Sequence, residues 1–295
     1  MNVLLVGLGR WGEKHLRVLM QLGASVWVAD VSAARREWAI GQGVDADRAV
    51  GDFRTALPHV IERKGYILPI ASLAAAGRAA DRVVQVGHIF RFHPVTATLR
   101  AALAAERIGA VRYATGRFSG FKRPRTDVGV THTDAIHYFD LFALLLGREA
   151  TGVTALQRDY LGRGLDDMSL TTVSYGDVPV VVEANYFVPG THRECVILGE
   201  AGVLVADYGT STVTLHTGEH RQRGDAWEAF DTGKEDLPAR GEEPLRLEIA
   251  AFLAACDGRE MNAVPAEAGV HALEIVEAAA RSARLERSVS IAEIG

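Results

Sequence analysis

Val3-Leu4-Leu5-Val6-Gly7-Leu8-Gly9-Arg10-Trp11-Gly12-Glu13-Lys14-His15 decides how the rest of the chain is read. Its first four residues are apolar without polar alternation, which suits a parallel strand covered on both faces. The strand runs directly into a G-x-G-x-x-G, and Leu16, Leu19 and Met20 then recur at the spacing of one buried helix face. Each glycine has a separate task. Gly7 permits the tight turn, Gly9 lets a pyrophosphate approach the backbone through Leu8, Arg10 and Trp11, and Gly12 lets helix and strand pack closely. The free N–H groups and dipole of the helix start favour phosphate. A second apolar run, Ser25-Val26-Trp27-Val28-Ala29, ends in Asp30, 18 residues beyond Gly12. An acid at that place can bind the ribose hydroxyls of a dinucleotide. A carboxylate there accepts from a free 2′-hydroxyl and repels a 2′-phosphate, so NAD is expected rather than NADP. Arg35 and Arg36, the residues that argue for NADP, fall on the next helix, where a solvated face accounts for them.

The chain has 295 residues, long for one core, so two domains are expected. Hydrophobic residues make up 48% and charged ones 23%, an ordinary globular balance that leaves material for a sizeable core. The net charge of −5 offers no basic surface for nucleic acid and no polybasic segment for a membrane. No apolar run approaches the ~20 residues of a membrane span. Cys195 and Cys256 fit no metal spacing and read as reduced, buried thiols. No basic region or cleavage site precedes the first strand, and a cytoplasmic protein without a metal is expected.

Strand-helix alternation continues to about residue 110. A helix is expected over 33–40, a short third strand over 45–50, a helix over 53–64, a proline-containing strand over 66–71 and an Ala-rich helix over 73–81. Arg82-Val-Val-Gln-Val-Gly87 reads as a further strand, with Arg91 and His93 leaving its carboxyl end toward a ligand cleft. A helix follows over 95–107. Beyond Val111 the pattern turns to short consecutive strands over 111–119, 153–159, 168–175, 179–187, 194–199, 203–208 and 212–216. A helix over 133–146 is stopped by Gly147. Residues 218–241 read as a polar loop, and helices over 244–256 and 267–285 end the chain. The fold class is therefore α/β: a Rossmann domain with a doubly wound parallel sheet at 1–110, then an α+β domain at 111–295 with a large, mainly antiparallel open sheet.

Asp134, His137 and Asp140 stand at i, i+3 and i+6 on the predicted helix 133–146, so a carboxylate can orient or charge the imidazole. Beside a nicotinamide ring, such a histidine exchanges the hydroxyl proton, and its ordinary value near 6.5 suits that task at neutral pH. GLGRWGEKH at 7–15, VQVGHIFRFHP at 84–94, HYFD at 137–140 and EPLRLEIAAFLAAC at 243–256 together resemble the glucose–fructose oxidoreductase and inositol dehydrogenase family, Gfo/Idh/MocA. The resemblance covers the chain except for about 55–80. It implies NAD(P)-dependent oxidation or reduction at a secondary alcohol or ketone of a sugar, cyclitol or related polyol. It also implies His137 as a catalytic residue and a homo-oligomer formed through the C-terminal sheet. Family members carry an aspartate four residues before that histidine; Thr133 stands there, with Asp134 adjacent. They also carry a catalytic lysine in Glu-Lys-Pro, which this chain lacks. Glu62-Arg63-Lys64-Gly65 keeps a lysine one residue late, and Ile67-Leu68-Pro69-Ile70-Ala71 keeps the proline. The first match makes Lys64 the candidate lysine, the second places Leu68 where lysine belongs, both stay open, and the segment is short by a whole structural unit. Lys122, Arg123, Tyr186 and His192 are candidate substrate contacts. The alternative function is a catalytically inactive dinucleotide-binding paralogue serving as regulator or partner subunit.

Overall fold

The computed structural model describes residues 2–60, 75, 77–79, 81 and 83–294, without the side chains of Arg10, Leu57, Pro58 and Val60. Lys64, the expected strand 66–71 and most of the expected helix 73–81 lie outside the described residues. The chain forms two compact units, one of Met1–Gln85 with Leu245–Pro265, the other of Val86–Pro244 with Ala266–Gly295. Residues 86–110, assigned above to the dinucleotide domain, thus pack with the second unit, and 245–265 return to the first.

In the first unit β1 (Asn2–Val6), β2 (Ser25–Ala29) and β3 (Ala49–Val50) form a parallel sheet in the order β1-β2-β3. The helices Arg10–Gln21, Ala33–Gly41 and Phe53–Val60 alternate with them. Leu16, Val18 and Leu19 are buried, at about 1.5–3 kcal/mol per large side chain. Residues 83–87 do not form the strand expected from their valines. Gln85 makes a single bridge to Pro265, its Nε2 donates to the Glu248 carbonyl at 3.0 Å, and Asn262 Nδ2 donates to the Val84 carbonyl at 2.8 Å. The helix Pro244–Cys256 is thereby tied to the N-terminal part.

The second unit is organised on a nine-stranded sheet in the order β11-β10-β9-β8-β4-β7-β6-β5-β12. These are β4 (Val111–Gly120), β5 (Gly152–Arg158), β6 (Met168–Tyr175), β7 (Val178–Asn185), β8 (Thr191–Gly199), β9 (Gly202–Asp207), β10 (Thr212–Arg223), β11 (Ala226–Leu237) and β12 (Val289–Ser290). The pairs are antiparallel except β4 with β7. Two-residue alternation separates the faces. The register row Val153, Val173, Val180, Ala114, Ile197, Leu204, Leu215 is buried under the helices Pro94–Ala104, Ile136–Leu146 and Ala266–Leu285. The adjoining row, Thr154, Thr172, Val181, Thr115, Val196 and Val205, lies on the other face, which also carries Leu156 and Leu170, each about two-fifths exposed. Residues 218–241 are not a loop: β10 and β11 extend through them as a hairpin with a bulge between Thr217 and Gly218. Cys195 is buried in β8, whereas Cys256 is exposed.

Candidate active site

In the first unit the glycines divide their labour as their chemistry dictates. Gly7 has φ +85°, a left-handed conformation that only glycine adopts freely. A Cβ on Gly12 would lie 2.0 Å from the Gly7 carbonyl oxygen, so the helix packs on the turn only because that atom is missing. Gly9 is different. Its φ is −69°, and a Cβ there would meet nothing within 4 Å. The protein's own packing makes no demand for glycine at that point, while a phosphate seated on the helix start would. Arg10 opens that helix; its side chain is outside the described residues. Trp11 is half exposed, with the Lys14 ammonium 4.5 Å from its ring centre.

Asp30 closes the same site. Its Oδ2 accepts from the Leu8 N–H at 2.6 Å and its Oδ1 from the Ser32 N–H at 2.8 Å. These two donors hold its carboxyl below the usual carboxylate range, with Arg35 and Arg36 adding to the effect against a small desolvation. Each oxygen keeps lone pairs for ribose hydroxyls. Val6, Gly7, Asp30, Gly51, Phe53 and Arg54 help line an adjoining cavity of about 450 Å³. Arg36 Nη1 donates to the Asp30 carbonyl at 2.7 Å, and Arg35 is ion-paired with Glu13. The residues present fit a dinucleotide: an open cradle at Gly9, amides at a helix start and a fixed acid at the end of the neighbouring strand.

The second unit holds the predicted polar constellation, with partners other than those expected. Residues Thr131–Ala135 form a π turn before the helix Ile136–Leu146, which Gly147 ends at φ 63°. Asp134 lies in that turn, buried, and Lys122 Nζ stands 2.6 Å from its Oδ2. Burial pushes the Asp134 carboxyl up, and Lys122 opposes the shift. Asp140 takes a bidentate pair from Arg91, Nε to Oδ2 at 2.8 Å and Nη2 to Oδ1 at 2.6 Å, with His88 Nε2 at 3.7 Å. Arg91, expected at the cofactor, is thus also the partner of Asp140. His93, expected in the same cleft, accepts from the Val95 N–H and caps the helix Pro94–Ala104.

Neither carboxylate orients His137. Its ring lies against Phe90 at 5.5 Å and Phe118 at 5.7 Å between centroids, and its Nδ1 is buried without a hydrogen-bond partner. Burial, then the nearby His88, Arg193 and Lys122, push the imidazole down to about 4, so the ordinary value expected above does not hold. Thr133 Oγ1 and the Tyr186 hydroxyl are 2.9 Å apart, and Lys122 Nζ lies 4.9 Å from the Phe118 ring centre and 5.5 Å from that of Tyr186. His192, also a candidate contact, is paired with Glu194 at 2.9 Å. Arg193, unassigned by the sequence reading, sits with its guanidinium 3.4 Å from the Phe118 ring centre. Strand alternation carried the signal: Arg193, Cys195 and Ile197 share a face, so a charge points toward the core side.

A Gly-rich strand-turn-helix with a fixed acid, joined in one chain to an open sheet under a helix that carries a half-buried histidine, is the arrangement of a two-unit oxidoreductase. The chain belongs to the Gfo/Idh/MocA oxidoreductase family: the model of that family's C-terminal alpha/beta domain matches residues 100–291. Over 98% of each chain it is 26% identical to inositol 2-dehydrogenase of Rhizobium meliloti (strain 1021). Its fold is similar to that of UDP-N-acetylglucosamine 3-dehydrogenase GnnA from Acidithiobacillus ferrooxidans, with TM-score 0.78, 19% identity and coverage of 96% and 97% of the two chains. It is also similar to an oxidoreductase from Agrobacterium radiobacter in complex with NAD+, L-tartaric acid and magnesium, with TM-score 0.75, 15% identity and coverage of 100% and 99%. Among the described residues no helix is long and apolar enough to cross a membrane.

Proposed function

We propose that the chain transfers a hydride between NAD and a secondary alcohol or ketone of a sugar, cyclitol or related polyol, as a homo-oligomer in the cytoplasm. The observation that carries the reading is His137, an uncharged imidazole in an aromatic slot with an unspent Nδ1, beside the Lys122–Asp134 pair. When bound, the nicotinamide supplies hydride acceptance and donation. The chain's own residues do the rest. Gly7, Leu8, Gly9, Arg10, Trp11 and Gly12 present backbone to the pyrophosphate, and Asp30 holds the ribose. His137, uncharged at neutral pH, accepts the hydroxyl proton in the oxidative direction and returns it in reduction. Asp134 keeps the Lys122 ammonium fixed beside it. NAD is preferred to NADP because Asp30 faces the 2′-position while Arg35 and Arg36 are engaged by Glu13 and by backbone carbonyls.

The test is NADH formation across a panel of polyols and sugars that includes myo-inositol, with parallel NADP measurements. His137→Ala should cut turnover by about 10²–10⁴-fold with NAD affinity nearly unchanged, and Lys64→Ala should matter much less. Wild-type protein that binds NAD yet oxidises nothing on the panel would establish the second reading, an inactive paralogue acting as regulator or partner subunit. The missing Glu-Lys-Pro favours that second reading.

A further inference from the structure

We propose that Arg193 recognises an anionic group on the substrate, a carboxylate or a phosphate, through the unspent edge of its guanidinium. The inference rests on the second-unit site described above being the substrate site. In β8 Arg193 is paired in register with Phe118 of β4, and it points to the face that Cys195 and Ile197 share. Its guanidinium carbon lies 3.4 Å from the Phe118 ring centre, and the residue is half-buried. Nη1 is spent on two carbonyls, Ser119 at 3.0 Å and His192 at 2.6 Å. Nε and Nη2 have no partner among the described residues, and no described carboxylate comes within ion-pair distance.

The surrounding acids are committed elsewhere. Asp134 faces Lys122, Asp207 accepts from the Gly209 and Thr210 N–H groups, and Glu194 sits with His192 and Arg117. With His137 neutral, two cations therefore face one buried carboxylate, and Arg193 is the surplus charge. A partly desolvated guanidinium without a counter-ion is costly unless a ligand supplies the charge. Its planar fork matches the two oxygens of a carboxylate or phosphate, which an ammonium does not.

Calorimetric titration of protein saturated with NADH tests this with three probes: methyl glucuronide, methyl glucoside and UDP. At least one anionic probe should bind about 10–100-fold more tightly than the neutral glucoside. Arg193→Met should erase that difference, and Arg193→Lys should restore only part of it. Preference for the glucuronide assigns a sugar acid, and preference for UDP a phosphorylated sugar. Histidine NMR adds a second readout, since a bound anion should move the His137 titration upward from about 4. Glucoside binding as tight as both anions, binding of no anion, or a preference that survives in Arg193→Met overturns the proposal. Anion binding without any hydride transfer would sink the dehydrogenase reading and leave this one standing. Turnover of neutral polyols with no anion preference would do the reverse.

Discussion

His137 and Glu248 pull stability in opposite directions along the pH axis. Folding holds the His137 imidazole down to about 4 through burial first and neighbouring positive charge second. Between that value and the ~6.5 of an unfolded histidine, the unfolded chain binds more protons. Stability therefore falls as pH drops through this window, by up to about 3 kcal/mol. Glu248 is buried with Oε2 unpartnered, and desolvation pushes its carboxyl up to about 7. Here the folded chain binds more protons from about 4.5 to 7, so stability falls as pH rises, by a similar amount. Denaturant titrations across pH should show His137→Phe flattening the acid limb and Glu248→Gln flattening the limb toward neutrality. An unchanged acid limb in His137→Phe would mean that the imidazole is solvated.

At the scale of elements, the strand-turn-helix at residues 3–15 separates two kinds of glycine. Gly12→Ala drives a Cβ into the Gly7 carbonyl and should destabilise the unit by about 1–3 kcal/mol, seen as a lower melting temperature without ligand. Gly9→Ala meets only open space, so it should leave that temperature unchanged while weakening NAD binding in a fluorescence titration. Equal effects of the two on the ligand-free protein would show that Gly9 is structural. The same elements show what the sequence made legible. β1, β2 and their glycines announced themselves through apolar runs and turn chemistry, and β5 to β9 through two-residue alternation. The outer part of the β10–β11 hairpin did not, because both its faces are exposed and its Trp227 and Phe230 stand among polar residues without a buried period. Val83, Val84 and Val86 imitate a strand although, among the described residues, the segment makes one isolated bridge, from Gln85 to Pro265. The pairs Lys122–Asp134 and Arg91–Asp140 were illegible for a different reason. Helical spacing identifies neighbours along the helix Ile136–Leu146, but these partners arrive from the end of β4 and from the segment before the helix Pro94–Ala104.

For the whole molecule, the open face of the nine-stranded sheet is where the proposed assembly is expected to form. Leu156 and Leu170 are cross-strand partners there, and Val196 pairs with Val205 in the same way. A face carrying Thr, Val and Leu across six strands, without helices over it among the described residues, supports the proposed self-complementary interface. Light scattering at micromolar concentration should give a homo-oligomer, and Leu170→Glu with Val205→Glu should give a monomer. A wild-type monomer would refute the interface. The sequence carries the same expectation, because consecutive strands outnumber the helices able to cover them.

The first unit is assembled from two stretches, Met1–Gln85 and Leu245–Pro265, joined by the Gln85–Glu248 and Asn262–Val84 hydrogen bonds. Synthesis proceeds from the N-terminus, and domains ordinarily fold as they emerge from the ribosome. Here the first stretch leaves the tunnel before the helix Pro244–Cys256 that completes its unit, which is translated only after the strands of the large sheet. A nascent chain arrested at residue 244 should therefore remain protease-sensitive over residues 1–85 and bind no NAD, whereas release of the full chain restores both. On this expectation the cofactor site matures only after the strands of the large sheet have been synthesised.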